Sequence, residues 1–252
     1  MNRARCIANA IAIAIVSFPV AEAFAQDHFE IQVYDSETAP VATPGIELHL
    51  NAMHDARLGD LAHVTMEPHL GISRFAEIGL YVQTAIASDG IVDFAGIKAR
   101  VKARHPRRLA GMIGLALNIE LSWVPSRYEE NVWGSEVRPV IDLHWRRLYL
   151  SINPIIDIDL AGRLAGHPQL EPAAKLSIAV AGGLTIGAEY YAAFGALDSP
   201  APLRDQLHLL LGAVDLARKV GGVDLALDLA AGGNFAGPDE RWVVKAIVTI
   251  GQ

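Results

Sequence analysis

From residue 45 to the end of the chain, apolar and polar residues alternate in stretches of about ten. A period of two places successive side chains on opposite faces of a β-strand. In 45–55, Ile46, Leu48 and Leu50 share one face, while Glu47, His49 and Asn51 share the other. In 76–87, Ile78, Leu80, Val82 and Ile86 oppose Glu77, Tyr81 and Gln83; in 94–105, Ile97, Ala99, Val101 and Ala103 oppose Lys98, Arg100, Lys102 and Arg104. The pattern recurs at 61–73, 113–124, 134–145, 148–160, 170–181, 184–196, 206–217, 223–232 and 241–250. The stretch 206–217 alternates less cleanly, which predicts a bulge near Asp215.

The connections alternate as well. Those near 56–60, 88–93, 125–133, 161–169, 197–205 and 233–240 are mostly long, and those near 74–75, 105–110, 146–147, 182–183 and 218–222 mostly shorter. Aromatic residues of the apolar face stand near strand ends: Trp123, Trp145, Phe194 and Trp242. A soluble sandwich or barrel also alternates. Loop asymmetry, aromatic girdles and an even strand number belong together in a membrane barrel. The expectation is an all-β, antiparallel, up-and-down transmembrane β-barrel of about 12 strands with both termini in the periplasm.

Pro68, Pro139, Pro154 and Pro172 fall inside these strands, all on the apolar face. Each removes a ladder hydrogen bond, so local bulges are expected there. These either curve the wall or aim the preceding Glu67, Arg138, Asn153 and Glu171 at a constriction.

The first residues read as a secretory signal peptide: Arg3 and Arg5, an apolar run from Ile7 to Phe18, and Ala23-Phe24-Ala25 as the cleavage site. The alternative, a membrane anchor helix, needs a longer run than one that stops at Pro19. The expected division is 1–25 signal peptide, 26–44 a periplasmic lead-in able to enter the lumen as a small plug, and 45–252 an outer-membrane barrel. Cys6, the single cysteine, is lost with the signal, so no disulfide or cysteine chemistry remains. Apolar content of 52% without an uninterrupted run of membrane-helix length again favours lipid-facing strands. The net charge of −7, with signs mixed, speaks against a nucleic-acid partner. The expected partners are outer-membrane lipid and lipopolysaccharide, the barrel assembly machinery and a small-molecule solute.

Several stretches resemble a family of Gram-negative outer-membrane barrels labelled transporters, some tied to phenol meta-cleavage pathways. They are PGIELHLN (44–51), MEPHLGISRFAEIGLYVQTA (66–85), FAGIKARVKARHP (94–106), ELSWVPSRYEENVWGSEVRPVIDLHW (120–145), NPIIDIDL (153–160), EPAAKLSI (171–178) and RWVVKAI (241–247). The resemblance implies the barrel fold and an outer-membrane location after export, with transport as the role. It carries over no functional residues.

The residues expected to line the lumen are Glu67, Glu77, Tyr81, Lys98, Arg100, Lys102, Glu120, Arg138, Asp142, Asn153, Glu171, Lys175 and Glu189. Further inward acids are Glu47, Asp157, Asp224 and Asp228. The column Lys98, Arg100, Lys102, Arg104 either pairs with acids of other strands and closes the lumen, or attracts anions through a narrow pore. An enzyme is a third reading: Asp142, His144 and Ser151 lie close in sequence, but all face inward, away from lipid, and no G-x-S-x-G or H-E-x-x-H motif occurs. His49, His63, His69 and His208 lack metal-ligand spacing and read as scattered lumenal histidines; neither metal nor cofactor is expected. The loop 125–133 reads as a solvated hairpin loop, an external contact or an inward lid.

Overall fold

The computed structural model describes residues 29–55, 59–87, 90–129, 131–162, 165–237 and 242–251. The expected signal peptide, its cleavage site and Arg241 lie outside them. The strands are β1 (Pro44–Asp55), β2 (Gly59–Ser73), β3 (Ala76–Ala87), β4 (Val92–Arg104), β5 (Ile113–Trp123) and β6 (Trp133–Trp145). They continue with β7 (Leu148–Asn153, resumed at Ile156–Asp159), β8 (Gln169–Leu170, resumed at Ala173–Ala181) and β9 (Leu184–Ala193, extended by Gly195–Ala196). The last three are β10 (Leu207–Val220), β11 (Val223–Ala236) and β12 (Trp242–Ile250). Each strand pairs antiparallel with its sequence neighbours, and β1 also pairs with β12 from Ile46↔Ile250 to Met53↔Val243. The twelve strands therefore form a closed barrel without a free edge.

Burial is inside out relative to a soluble protein. Leu80, Ile119 and Val244 are 46%, 47% and 51% exposed, whereas Arg138 and Lys245 are each 1% exposed. An apolar exterior around a charged interior is stable only when the exterior faces hydrocarbon, which is the outer-membrane arrangement. Phe94 stacks on Trp123 at 6.0 Å, and Trp123 sits opposite Trp133 at the long-loop rim. Trp145 and Phe75 mark the short-turn rim. Both rims thus carry aromatic side chains suited to headgroup depth.

The prolines do not produce bulges. Val137↔Ile156 and Ile141↔Ile152 bracket Pro139 and Pro154 in one unbroken register. Asn153↔Ala173 and Ile156↔Leu170 do the same for Pro154 and Pro172. Three prolines of β6, β7 and β8 therefore lie in one row across the wall, and the missing donors interrupt the ladder there without shifting it. Pro68 likewise lies within an unshifted register between Met66↔Val82 and His69↔Gly79. The register shifts occur at Gly71/Ser73, Gln83/Thr84, Ala179/Ala181 and His208/Leu209. The bulge expected near Asp215 is thus at His208/Leu209, and Asp215 keeps regular pairing with Asp228 and Thr185. His208 shares the parity of Leu210 and Val214 and faces outward rather than into the lumen, packed among Tyr190, Phe194 and Phe235.

Residues 29–43 form no wall strand. Expected as a periplasmic lead-in with a plug as its alternative, the segment lies inside the barrel. It turns over Gly71, where Ala42 N–H donates to the Gly71 carbonyl at 2.8 Å. A β-carbon at Gly71 would stand 2.1 Å from the Pro40 carbonyl oxygen, so only glycine admits this crossing. From there the segment rises toward the long-loop end, where Phe29 packs edge-on against Tyr128 of the 124–132 loop at 5.8 Å.

Candidate functional site

The candidate site is the lumen, which two groups of residues fill. The wall supplies side chains at every second position of each strand. The segment 29–43 supplies an extended chain along the axis.

Each sequence-predicted lumenal residue (Glu67, Glu77, Tyr81, Lys98, Arg100, Lys102, Glu120, Arg138, Asp142, Asn153, Glu171, Lys175 and Glu189) is buried. Charges at this depth require partners, because an unpaired buried ion loses its hydration without compensation. On the β1–β6 side, Arg100 donates from Nε to Glu67 at 2.5 Å and from Nη1 to Glu77 at 2.6 Å. Lys98 lies 3.7 Å from Glu120, and Arg138 donates to Glu136 at 2.6 Å. On the opposite side, Lys175 sits between Glu189, Asp215 and Asp228 at 3.0, 2.6 and 2.6 Å. Lys245 bridges Glu189 and Asp228 at 2.7 and 3.3 Å.

The central segment completes these networks. Glu30 approaches Lys98 at 3.7 Å and Arg138 at 3.4 Å. Asp35 pairs with Lys102 at 3.3 Å, and Glu37 with Arg104 at 3.4 Å and Arg108 at 2.8 Å. The basic column is therefore balanced partly by wall acids and partly by acids of the segment. Arg108, in the turn after β4, also donates to Asp142 at 2.6 Å. Burial opposes its charge, but the carboxylates of Asp142 and Glu37 hold the guanidinium above its ordinary pKa.

Tyr34 is the most closely held residue of the segment. The Arg138 guanidinium lies 4.2 Å from its ring centroid, with Lys102 at 5.3 Å and Arg100 at 5.7 Å. Its hydroxyl donates to Glu30 at 2.6 Å and touches the hydroxyl of Tyr81. Its amide donates to Asn153 at 2.7 Å, and its carbonyl accepts from Ser151 at 2.6 Å. Apolar positions of the segment meet two apolar clusters of the lumen. Ile31 joins a cluster with Met53, Tyr191, Leu209, Leu211, Ala213, Ala230 and Val243, and Val33 packs against it. Phe29 packs with Ala85, Ala95 and Val124, and edge-on to His63 at 4.5 Å. Where β10, β11 and β12 meet the short-turn rim, a cavity of about 390 Å3 remains, lined by Ala217, Lys219, Asp224, Ala226 and Thr249 among others.

The residues suggested for hydrolysis do not assemble. Ser151 spends its hydroxyl on the Tyr34 carbonyl, while His144 lies at the rim against Tyr149 at 4.8 Å. His49 stands between Glu47 and Glu67 at 3.5 and 3.3 Å, the one grouping among the described residues with metal-ligand proximity. Sequence reasoning missed Glu30, Tyr34, Asp35, Glu37 and Arg108 as site residues. The available signal was the alternation Phe29, Ile31, Val33 against Glu30, Gln32, Tyr34, two-faced like the lumen itself.

No protein-family model and no curated protein matches this chain. Solved structures do. A crystal structure of an outer membrane channel from Pseudomonas putida F1 aligns with a TM-score of 0.52 at 12% identity, over 87% of this chain and 100% of that one. The KdgM porin aligns with a TM-score of 0.49 at 10% identity, over 81% of this chain and 97% of that one. The first of these likenesses is one of fold, that of an outer-membrane barrel.

Proposed function

We propose that this protein is a passive outer-membrane channel for small anionic or aromatic solutes, closed at rest by its own N-terminal segment. The observation that carries the reading is what fills the lumen. Wall ion pairs link strands within the β2–β6 side and within the β8–β12 side, and a single extended segment, joined to β1 by one turn, lies between the two sides. Apart from the backbone bonds at Gly71, its anchors run through wall side chains and not through a sheet ladder, so it can leave without unpairing the wall strands. The resemblance in fold to a channel supports the same reading. Once the segment leaves, Lys102 and Arg104 lose Asp35 and Glu37 and present positive charge to a passing anion. In this reading the mature chain begins near Gln26, the assembly machinery inserts it, and its partners in place are outer-membrane lipid and lipopolysaccharide.

A second reading is a permanently closed structural barrel. It is favoured by wall-to-wall ion pairs that need no segment, above all Lys175 with Glu189, Asp215 and Asp228. Single-channel recording of the refolded mature protein in a planar bilayer under a salt gradient separates the two. A channel gives brief discrete openings with an anion-leaning reversal potential. Silence from a correctly folded barrel, both unmodified and with its segment loosened, establishes the closed reading instead.

A further inference from the structure

We propose that the lumen is a binding site for an extended acidic peptide, of which residues 29–37 are the tethered occupant. The inference rests on the channel reading only for the route of access. The ligand class follows from what the wall touches.

The wall reads backbone as much as side chains. The Phe29 carbonyl accepts from Thr65 at 3.2 Å and Asn51 at 3.4 Å. The Ile31 carbonyl accepts from Lys245 Nζ at 3.0 Å, and that of Gln32 from Arg138 at 3.3 Å. The Tyr34 carbonyl accepts from Ser151 and Asn153, whose Oδ1 takes the Tyr34 amide. The Ser36 and Ala39 amides donate to Asp142 at 2.6 Å and Glu77 at 2.5 Å. These donors and acceptors come from β1, β2, β3, β6, β7 and β12, so peptide groups are recognised by six of the twelve strands. A fatty acid or a sugar offers no such series of alternating carbonyl and amide groups.

Two further features set the sequence preference. Carboxylates at the second, seventh and ninth positions, those of Glu30, Asp35 and Glu37, meet Lys98, Arg138, Lys102, Arg104 and Arg108. Apolar side chains at the first, third and fifth positions meet the two lumenal apolar clusters. The site therefore selects an extended chain with alternating apolar residues and acids toward its C-terminal end. A tether short enough to hold its own segment at millimolar effective concentration keeps this site occupied. Free peptide enters only when the segment is loosened.

The test uses the full mature chain carrying Tyr34→Ala, with Glu30→Gln/Asp35→Asn as a second loosened variant. A fluorescent synthetic peptide of residues 29–37 is titrated into each folded barrel and followed by anisotropy. The expected result is saturable binding at least tenfold tighter to a loosened variant than to the unmodified protein. A peptide of the same composition in reversed order, and one with its three acids replaced by amides, should each bind at least tenfold more weakly. Equal binding of the reversed peptide, or no saturable binding to either folded variant, overturns the site. Current recordings separate this from the channel reading. Peptide binding by a barrel that never conducts leaves the site and removes the channel; conduction that the peptide neither binds nor blocks leaves the channel and removes the site.

Discussion

Replacing Tyr34 by alanine should convert a closed barrel into an open one whose twelve strands stay paired. Tyr34 is buried to 5% exposure, and its ring contacts belong to the segment's docking, not to the sheet. Deleting a buried aromatic side chain costs about 3–5 kcal/mol, and a cation facing the ring adds roughly 0.5–2 kcal/mol. Water entering the vacated space returns part of this, so about 3 kcal/mol is a conservative figure for the docked state. Each 1.4 kcal/mol is about tenfold in an equilibrium constant, so the ratio of open to closed barrels should rise roughly 150-fold. The assay is open probability in planar bilayers, with heat-modifiable gel mobility as the measure of barrel integrity. The barrel should still migrate as folded while openings become prolonged. A folded Tyr34→Ala barrel whose open probability stays within about threefold of the unmodified protein would refute the displacement of this segment as the gate.

The remaining expectations act on the same parts. Gly71→Val should also raise open probability, since its side chain occupies the space of the Pro40 carbonyl; a closed Gly71→Val barrel contradicts the crossing described. Lys102→Glu in the open variant should shift the reversal potential toward cations, and an unmoved potential would remove the basic column from selectivity. Arg100→Ala should destabilise the wall itself by about 3–5 kcal/mol, read as a lower gel-shift temperature, because Glu67 and Glu77 stay buried and lose the guanidinium they share.

The wall was legible in the sequence because lipid enforces it. Every outward position must be apolar, so Ile78, Leu80 and Val82 announce their face without knowledge of any partner. Inward positions followed by parity, and the basic column 98–104 with them. His208 reads as lumenal because it is polar, but it shares the parity of Leu210 and Val214 and faces outward; the extra residue, Phe235, lies in the partner strand. The proline row was hidden for a related reason: each proline is visible, but their alignment depends on registers between strands, which no single strand encodes. For the segment 29–43 the sequence left two destinations open, a periplasmic lead-in and a plug in the lumen. Short amphipathic stretches state which chemistry they need on each side, and only the assembled lumen shows that Lys98, Arg138 and Leu211 meet those needs at once.

The row Pro139, Pro154, Pro172 has a mechanical meaning for the barrel. A hoop of hydrogen bonds is as strong as its weakest link, and here three adjacent staves share one gap. Behind that gap stands Tyr34, clasped through amide and carbonyl by Asn153 and Ser151, with the Arg138 guanidinium over its ring. The gatekeeper thus doubles as a brace. When it departs, the wall should loosen first along this seam, and backbone amides beside it, such as that of Glu171, should exchange with solvent sooner than those of β1 and β2. Opening the passage and softening one side of the barrel are, in this molecule, a single event.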